Sequence, residues 1–212
     1  MTYRVFGLII GKQDFREGDR LFDIYTIEQG RISAIAQGCR KISSKLSGSL
    51  ELLNLAVFTI AKGKILDRIA TVDVAANFTN IKNDLTKLTF ALYAIEIFNQ
   101  LVKKEEKDEK LFYILTEYLH YIEIEDEQKN LIFLTKMYIL KFFICLGYHP
   151  SSKELKNIFI KIEQKPYDEL YSIKIDVKLN RCITWLLHQN LDKELKSQVY
   201  YNFLTNTKSV SA

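Results

Sequence analysis

Gly30-Arg31-Ile32-Ser33-Ala34-Ile35-Ala36-Gln37-Gly38-Cys39-Arg40-Lys41 reads as a turn, a strand and a second turn. Ile32, Ala34 and Ala36 fall on one face of an extended chain, and Arg31, Ser33 and Gln37 on the other. This is the period-two alternation of a half-buried strand. Glycines bracket it. Gln29-Gly30 predicts a tight hairpin with the strand before. Gly38 opens the segment Gly38-Cys39-Arg40-Lys41-Ile42-Ser43-Ser44-Lys45-Leu46-Ser47-Gly48, which joins three cations, several hydroxyls and two glycines in one loop. Side-chain charge, hydroxyls and backbone N–H groups together are what phosphate contacts are made of.

Outward from this stretch the same grammar repeats. Seven of the eight glycines lie at or before Gly63, and regularly spaced glycines between short apolar runs mark the turns and bulges of an all-β unit. The strands expected are Tyr3–Ile10, Arg20–Ile27, Arg31–Gln37, Leu50–Ala61 and Lys64–Val74, with a second hairpin at Ala61-Lys62-Gly63-Lys64. Five short strands in this length suit a small closed barrel, and the five-stranded OB-fold is the nucleic-acid-binding version. From about Asn80 the apolar period changes to that of helices. Leu85, Leu88, Ala91/Leu92, Ile95, Phe98 and Val102 line one; Leu111, Ile114/Leu115, Tyr118/Leu119 and Ile122 a second; Leu131, Leu134, Tyr138, Phe142 and Cys145 a third. The third stops at Gly147, followed by Tyr148-His149-Pro150. Ser151 and Glu154 suggest a capping box for a fourth helix through about Ile162, and further helices are expected near Ser172–His188 and Asp192–Phe203. The predicted fold class is therefore α+β: an OB-fold barrel over residues 1–79, an all-helical domain over 80–204, and a frayed, disordered tail over 205–212.

Charge is unevenly spread. The 212 residues carry a net charge of +4, but Arg31 to Arg68 alone holds seven cations against two anions. A local field of one sign concentrates a polyanion near it. The candidate phosphate contacts are Arg20, Arg31, Arg40, Lys41, Lys45, Lys62, Lys64 and Arg68. The aromatics Phe6, Phe15, Phe22, Tyr25 and Phe58 are interleaved with them, some for the core and some as candidate stacking platforms.

Catalytic signatures are missing. The three histidines (His120, His149, His188) are scattered, and neither a Gly-rich phosphate loop nor a nucleophile elbow occurs. Asp19, Asp23, Asp67 and Asp73 make a two-metal nuclease conceivable, but nothing in their spacing demands one. The three cysteines, Cys39, Cys145 and Cys182, form no CxxC pair, so neither a zinc site nor a disulfide framework is expected. The N-terminus lacks the pattern of a signal peptide, and the apolar run Leu131–Gly147 is short and interrupted by Lys136 and Lys141. The expectation is a cytoplasmic, cofactor-free binding protein.

Val5-Phe6-Gly7-Leu8-Ile9-Ile10, Glu17-Gly18-Asp19-Arg20-Leu21, the Gly30–Lys41 stretch and Ser44-Lys45-Leu46-Ser47-Gly48-Ser49-Leu50 together resemble the RecO family. Arg31 stands where members usually carry Lys, Gln37 replaces another Lys, and Lys41 replaces Arg. The helical half carries the similar Phe142-Phe143-Ile144-Cys145-Leu146-Gly147-Tyr148-His149-Pro150 and Leu195-Lys196-Ser197. Many members follow the first of these with a four-cysteine zinc ribbon, and here no cysteine appears until Cys182. The resemblance implies a non-enzymatic recombination mediator of DNA repair. Such a protein binds single- and double-stranded DNA, anneals complementary strands, and works with RecR to load RecA onto DNA coated by single-stranded-DNA-binding protein (SSB); RecF enters the expectation only as an indirect partner. It also implies a groove for the SSB C-terminal tail in the helical half, for which Lys136 and Lys141 are the candidate cations. The alternative is a general OB-fold module for single-stranded DNA or RNA without mediator activity.

Overall fold

The structure is a computed structural model that describes residues 1–41, 46, 48–104 and 106–206. The chain divides into two compact units. One is Met1–Phe78 together with Val102–Phe112, and the other is Thr79–Leu101 together with Tyr113 onward.

The first unit holds β1 (Thr2–Arg16), β2 (Asp19–Thr26), β3 (Gly30–Ala36), β4 (Leu55–Ala61) and β5 (Asp67–Ala76). They close into a barrel in the order β1-β2-β3-β5-β4, with β3 and β5 parallel and the other pairs antiparallel. This is the expected five-stranded OB-fold. β1 serves two neighbours, its first half pairing with β4 and its second with β2. The interior is filled by one face of each strand, including Val5, Ile9, Phe22, Ile24, Ala34, Ala36, Phe58, Ile60 and Ile69, and by Cys39 and Leu50 from the β3–β4 connection. Ala34 and Ala36 are thus core, as the alternation predicts.

Two local readings change, and one holds. β1 runs on to Arg16, because Gly7 and Gly11 do not end it. Gly7 stands where β1 meets β2 so closely that a Cβ would lie 2.7 Å from Ile24 Cγ2 and 2.9 Å from the Tyr25 carbonyl oxygen. Gly11 sits beside a register shift that lets the strand bend and continue. β4 begins at Leu55 rather than Leu50, since Leu53 takes a positive φ and Asn54 N–H closes a turn onto the Glu51 carbonyl. The expected β2–β3 hairpin forms with Thr26 at its base. Thr26 Oγ1 accepts from Gln29 N–H and donates to the Gly30 carbonyl, while Gly30 adopts φ +66°.

Val102–Phe112 packs on the barrel's outside. The Tyr25 hydroxyl donates to the Asp108 carbonyl, and the Phe112 ring lies 6.4 Å from Tyr25 and 5.8 Å from Phe6. Phe22, Tyr25 and Phe58 are fully buried, so of the five interleaved aromatics these three belong to packing.

The second unit is helical: α1 (Thr79–Asn83), α2 (Leu85–Leu101), α3 (Glu109–Ile124, its first turn in the barrel unit), α4 (Gln128–Cys145), α5 (Lys153–Gln164), a 3-10 segment Tyr167–Ser172, α6 (Val177–Asn190) and α7 (Gln198–Asn206). The apolar face predicted for α3 is the buried one. In α2 the predicted Ala91, Ile95 and Phe98 are buried, but the buried surface is wider than the predicted face. Leu85 is 80% exposed while Phe90, Tyr93, Ala94 and Ile97 are buried, because this helix is covered on most sides and one stripe does not describe it. α4 ends in a Schellman motif, with Gly147 N–H on the Ile144 carbonyl and Tyr148 N–H on the Phe143 carbonyl. The capping box does not form. Ser152, not Ser151, is the N-cap of α5, without a side-chain bond, and Glu154 pairs with Lys178 instead. Between α2, α3 and α4, Tyr118 shares a 2.7 Å hydrogen bond with Thr135 and stacks on Tyr138, whose hydroxyl donates to the Ala94 carbonyl. α7 closes against α2 through the stacked pair Tyr93 and Tyr201. From residue 207 the expected tail lies outside the described residues.

Candidate nucleic-acid interface

Strand register decides which cations meet. β2 begins where β3 ends, with Arg20 opposite Ala36. β5 begins there too, with Arg68 opposite Ile35, and β4 ends there, with Ala61 opposite Arg68. One end of the barrel therefore gathers Arg20, Arg40, Lys41, Arg68 and the β4–β5 turn bearing Lys62 and Lys64. Arg40, Lys41, Lys62, Lys64 and Arg68 are exposed, and Arg20 is 36% exposed at its side chain. Lys45, the remaining cation expected in the loop, lies outside the described residues.

The loop start is tied to the β1–β2 turn by backbone. Arg40 N–H donates to the Gly18 carbonyl at 3.2 Å, Gly38 N–H to Asp19 Oδ1 at 2.8 Å, and Lys41 N–H to the Gly38 carbonyl. A Cβ on Gly18 would stand 3.6 Å from Lys41 Cε, so the lysine's aliphatic stem runs beside that turn. Asp14, on the β1 extension, organises the two guanidiniums. It accepts from Arg20 Nε at 2.8 Å on one oxygen and faces Arg40 Nη1 at 3.3 Å with the other. The Arg20 hydrogen bond, with Arg40 and Lys12 nearby, holds the Asp14 carboxyl below the usual range, and the same bond raises Arg20. Both arginines are thereby pre-aimed yet remain open to solvent. Farther round the rim, Arg68 Nη1 reaches Gln37 Oε1 at 3.4 Å.

Arg31 stands apart. It lies at the other end of β3, opposite Tyr25. Its guanidinium pairs with Asp23 at 3.0 Å and donates to the Val102 carbonyl, with only 15% of the side chain exposed. Burial works against the Asp23 charge, but the Ser33 hydroxyl and Arg31 outweigh it and keep the carboxyl low. Arg31 thus fastens Val102 to the barrel and is not brought together with the rim cations.

The rim holds residues that the sequence reading does not include. Lys12 and Arg16 are exposed on the β1 extension, and Asp14 sets the geometry. Their signal is the alternation Lys12, Asp14, Arg16, visible once the strand is allowed past Gly11. The four aspartates considered for metal are engaged singly: Asp19 on Gly38 N–H, Asp23 on Arg31 and Ser33, Asp67 on Tyr3 and Gly63, Asp73 beside Arg4. Among the described residues no cluster of three His, Cys, Asp or Glu is placed to hold a metal ion.

In the helical unit, Lys136 and Lys141 part company. Lys141 is buried. Its ammonium donates to the Lys165 carbonyl and sits 5.2 Å from the centre of the Tyr167 ring, and burial lowers its pKa. Lys136 donates to Asn180 Oδ1 at 2.8 Å and opens on a groove of about 900 Å³. Ile183, Leu187, Leu191 and Leu195 give this groove apolar walls, and His188 and Lys193 add polarity beside Asp192 and Glu194. No helix among the described residues is long and apolar enough to cross a membrane.

A closed OB barrel with a one-sided basic rim, continued by a helical unit, defines the class as an OB-fold protein with a surface suited to nucleic acid. Residues 1–78 match the family model Recombination protein O N terminal, and residues 82–154 match Recombination protein O C terminal. Curated relatives named DNA repair protein RecO include those of Symbiobacterium thermophilum (26% identical over 70% of this chain and 58% of the relative), Acetivibrio thermocellus (27%, over 86% and 72%) and Trichodesmium erythraeum (33%, over 64% and 47%). This chain belongs to the RecO family. Its matches span about half to three quarters of the length of these relatives.

Proposed function

We propose that the chain is a non-enzymatic, DNA-binding and strand-annealing mediator of DNA repair, which helps RecR load RecA onto SSB-coated single strands. The observation that carries this reading is the collection of Arg20, Arg40, Lys41, Lys62, Lys64 and Arg68 at one barrel end, in a family whose curated relatives are named DNA repair proteins. Annealing needs no covalent chemistry. It needs a cationic surface that lowers the repulsion between two phosphate backbones while leaving bases free to pair. The contacts are to phosphates, hence independent of sequence, and they serve single and double strands alike. Lys45 is proposed as a further phosphate contact. Arg31 supports it from within by fixing the barrel.

For the SSB tail, the groove beside Lys136 is the favoured seat. Its apolar walls suit an aromatic end, and Lys136, His188 and Lys193 supply polarity for acidic residues. Lys141 contributes by holding the Lys165 carbonyl beneath the bundle surface. The protein acts in the cytoplasm, on nucleoid DNA, with RecF as an indirect partner.

The test is annealing of two complementary oligonucleotides coated with SSB, at two salt concentrations. Acceleration that fades with salt and is lost in an Arg40→Ala, Lys41→Ala, Lys45→Ala triple variant is expected. Binding without annealing would leave a general OB-fold single-strand binder.

A further inference from the structure

Phe15 is the one exposed aromatic among the described residues of the barrel unit, at 40% exposure. Its position is unusual in the backbone as well. Asp14 pairs with Arg20 and Arg16 pairs with Asp19, so two steps along β1 match one step along β2, and Phe15 is the extra residue of a bulge. Bulges re-aim a side chain that the regular alternation of a strand would otherwise fix. On one side of Phe15, Asp14 holds Arg20 and Arg40; on the other, the Arg16 guanidinium lies 5.2 Å from the ring centre. A flat apolar ring with Arg16 over it thus follows directly in the chain on the carboxylate that holds Arg20 and Arg40, at a rim suited to phosphate. Aromatic groups next to cations are what single-strand binding uses, because every base has a face to stack and every linkage a charge.

We propose that Phe15 is a base-stacking platform for single-stranded DNA, with Arg16 withdrawing from the ring to a phosphate as a base takes its place. The proposal rests on the DNA-binding reading above and adds to it that this site distinguishes unpaired from paired strands. Bases inside a duplex are stacked on one another and give Phe15 no free face, whereas the rim cations meet the backbone of both.

The chain's single tryptophan, Trp185, is exposed in the helical unit, so Phe15→Trp combined with Trp185→Phe places one reporter at the site. Titration uses oligo(dT), an abasic strand of the same length, and a duplex. Quenching of the introduced indole's emission by oligo(dT), but not by the abasic strand at equal saturation, is expected. In the otherwise native chain, Phe15→Ala and Phe15→Leu each weaken oligo(dT) binding by roughly five-fold or more, leave duplex affinity within about two-fold, and leave the salt slope unchanged because the phosphate contacts persist. Equal quenching by the abasic strand, or undiminished oligo(dT) affinity in both variants, overturns the stacking role while DNA binding stands. Absence of any DNA binding by the native chain overturns the functional reading itself, and the stacking role with it.

Discussion

Arg31 and Arg68 look alike in sequence, each a cation on a barrel strand, and the structure gives them opposite surroundings. Replacing each by Gln separates the two roles. Arg31 makes a 3.0 Å charge pair with Asp23 and a bond to the Val102 carbonyl from a side chain 15% exposed. Hydrogen bonds to charged groups contribute about 1.5–3 kcal/mol. Asp23 keeps some solvent and its 2.6 Å bond from Ser33, so screening reduces the expected loss to about 1–2 kcal/mol. For a unit of this size that lowers Tm by roughly 5–10 °C. Because the Asp23 carboxyl is held below its ordinary range, the pair's contribution is present above about pH 4 and is lost as pH falls through the native pKa. The gap between native and Arg31→Gln proteins should therefore close in acid. Arg68 is exposed, touching Gln37 at 3.4 Å, and its loss should leave Tm unchanged. What Arg68→Gln changes is the dependence of DNA affinity on salt, whose log–log slope flattens by about 0.7–0.9 for one phosphate contact. Thermal melting and fluorescence anisotropy at several salt concentrations measure both quantities. Arg31→Gln with a flattened slope and an unchanged Tm would refute the assignment.

Two further outcomes follow from packing and burial. Gly7→Ala pushes a methyl to within 2.7 Å of Ile24 Cγ2 and 2.9 Å of a backbone oxygen, so it should destabilise the barrel by about 1–3 kcal/mol; denaturant unfolding with an unshifted midpoint would contradict the close approach of β1 and β2. In the helical unit, burial pushes the Tyr93 phenol up to about 12, and drives fully buried Tyr118 and Tyr138 well above 10. Raised pKa values mean that these groups' contribution is intact below about pH 10, the unfolded value, and is lost as pH rises through the native values. Helical circular dichroism should therefore decline between about pH 10 and 12 together with the phenolate absorbance of the buried tyrosines, and phenolate appearing well before helix loss would count against their burial.

The barrel is legible because two local codes agree: alternation marks the strands, and glycine marks where they turn or approach. The codes disagree at Gly7 and Gly11, where glycine serves close packing and a bulge within a strand, and there alternation with glycine stops ends β1 too early. Charge along the chain locates the basic region but not its geometry. Arg31 and Arg68 are told apart only by the register of β3 against β2 and β5, which is a property of the closed barrel. Lys141 illustrates the same limit, since its burial depends on a carbonyl at Lys165, 24 positions on. In α2, a helix surrounded by others has no single apolar stripe, so periodicity places Leu85 inside when it is outside. Phe15 is one of five candidate stacking aromatics in the sequence, and nothing there singles it out, because a bulge has no signature in residue type.

The barrel unit takes Phe112 from beyond the helix that follows β5, and this has a bearing on synthesis. When β5 has left the ribosome, Phe6 and Tyr25 have as yet no ring to cover them, and the Val102 carbonyl that Arg31 engages has not been made. At roughly 5–20 residues per second, the nascent barrel waits on the order of two to seven seconds for its last piece. During that interval an aromatic patch stands open, α1 and α2 are being made, and the first domain cannot reach its final stability before the opening segment of the second, Thr79–Leu101, has been synthesised.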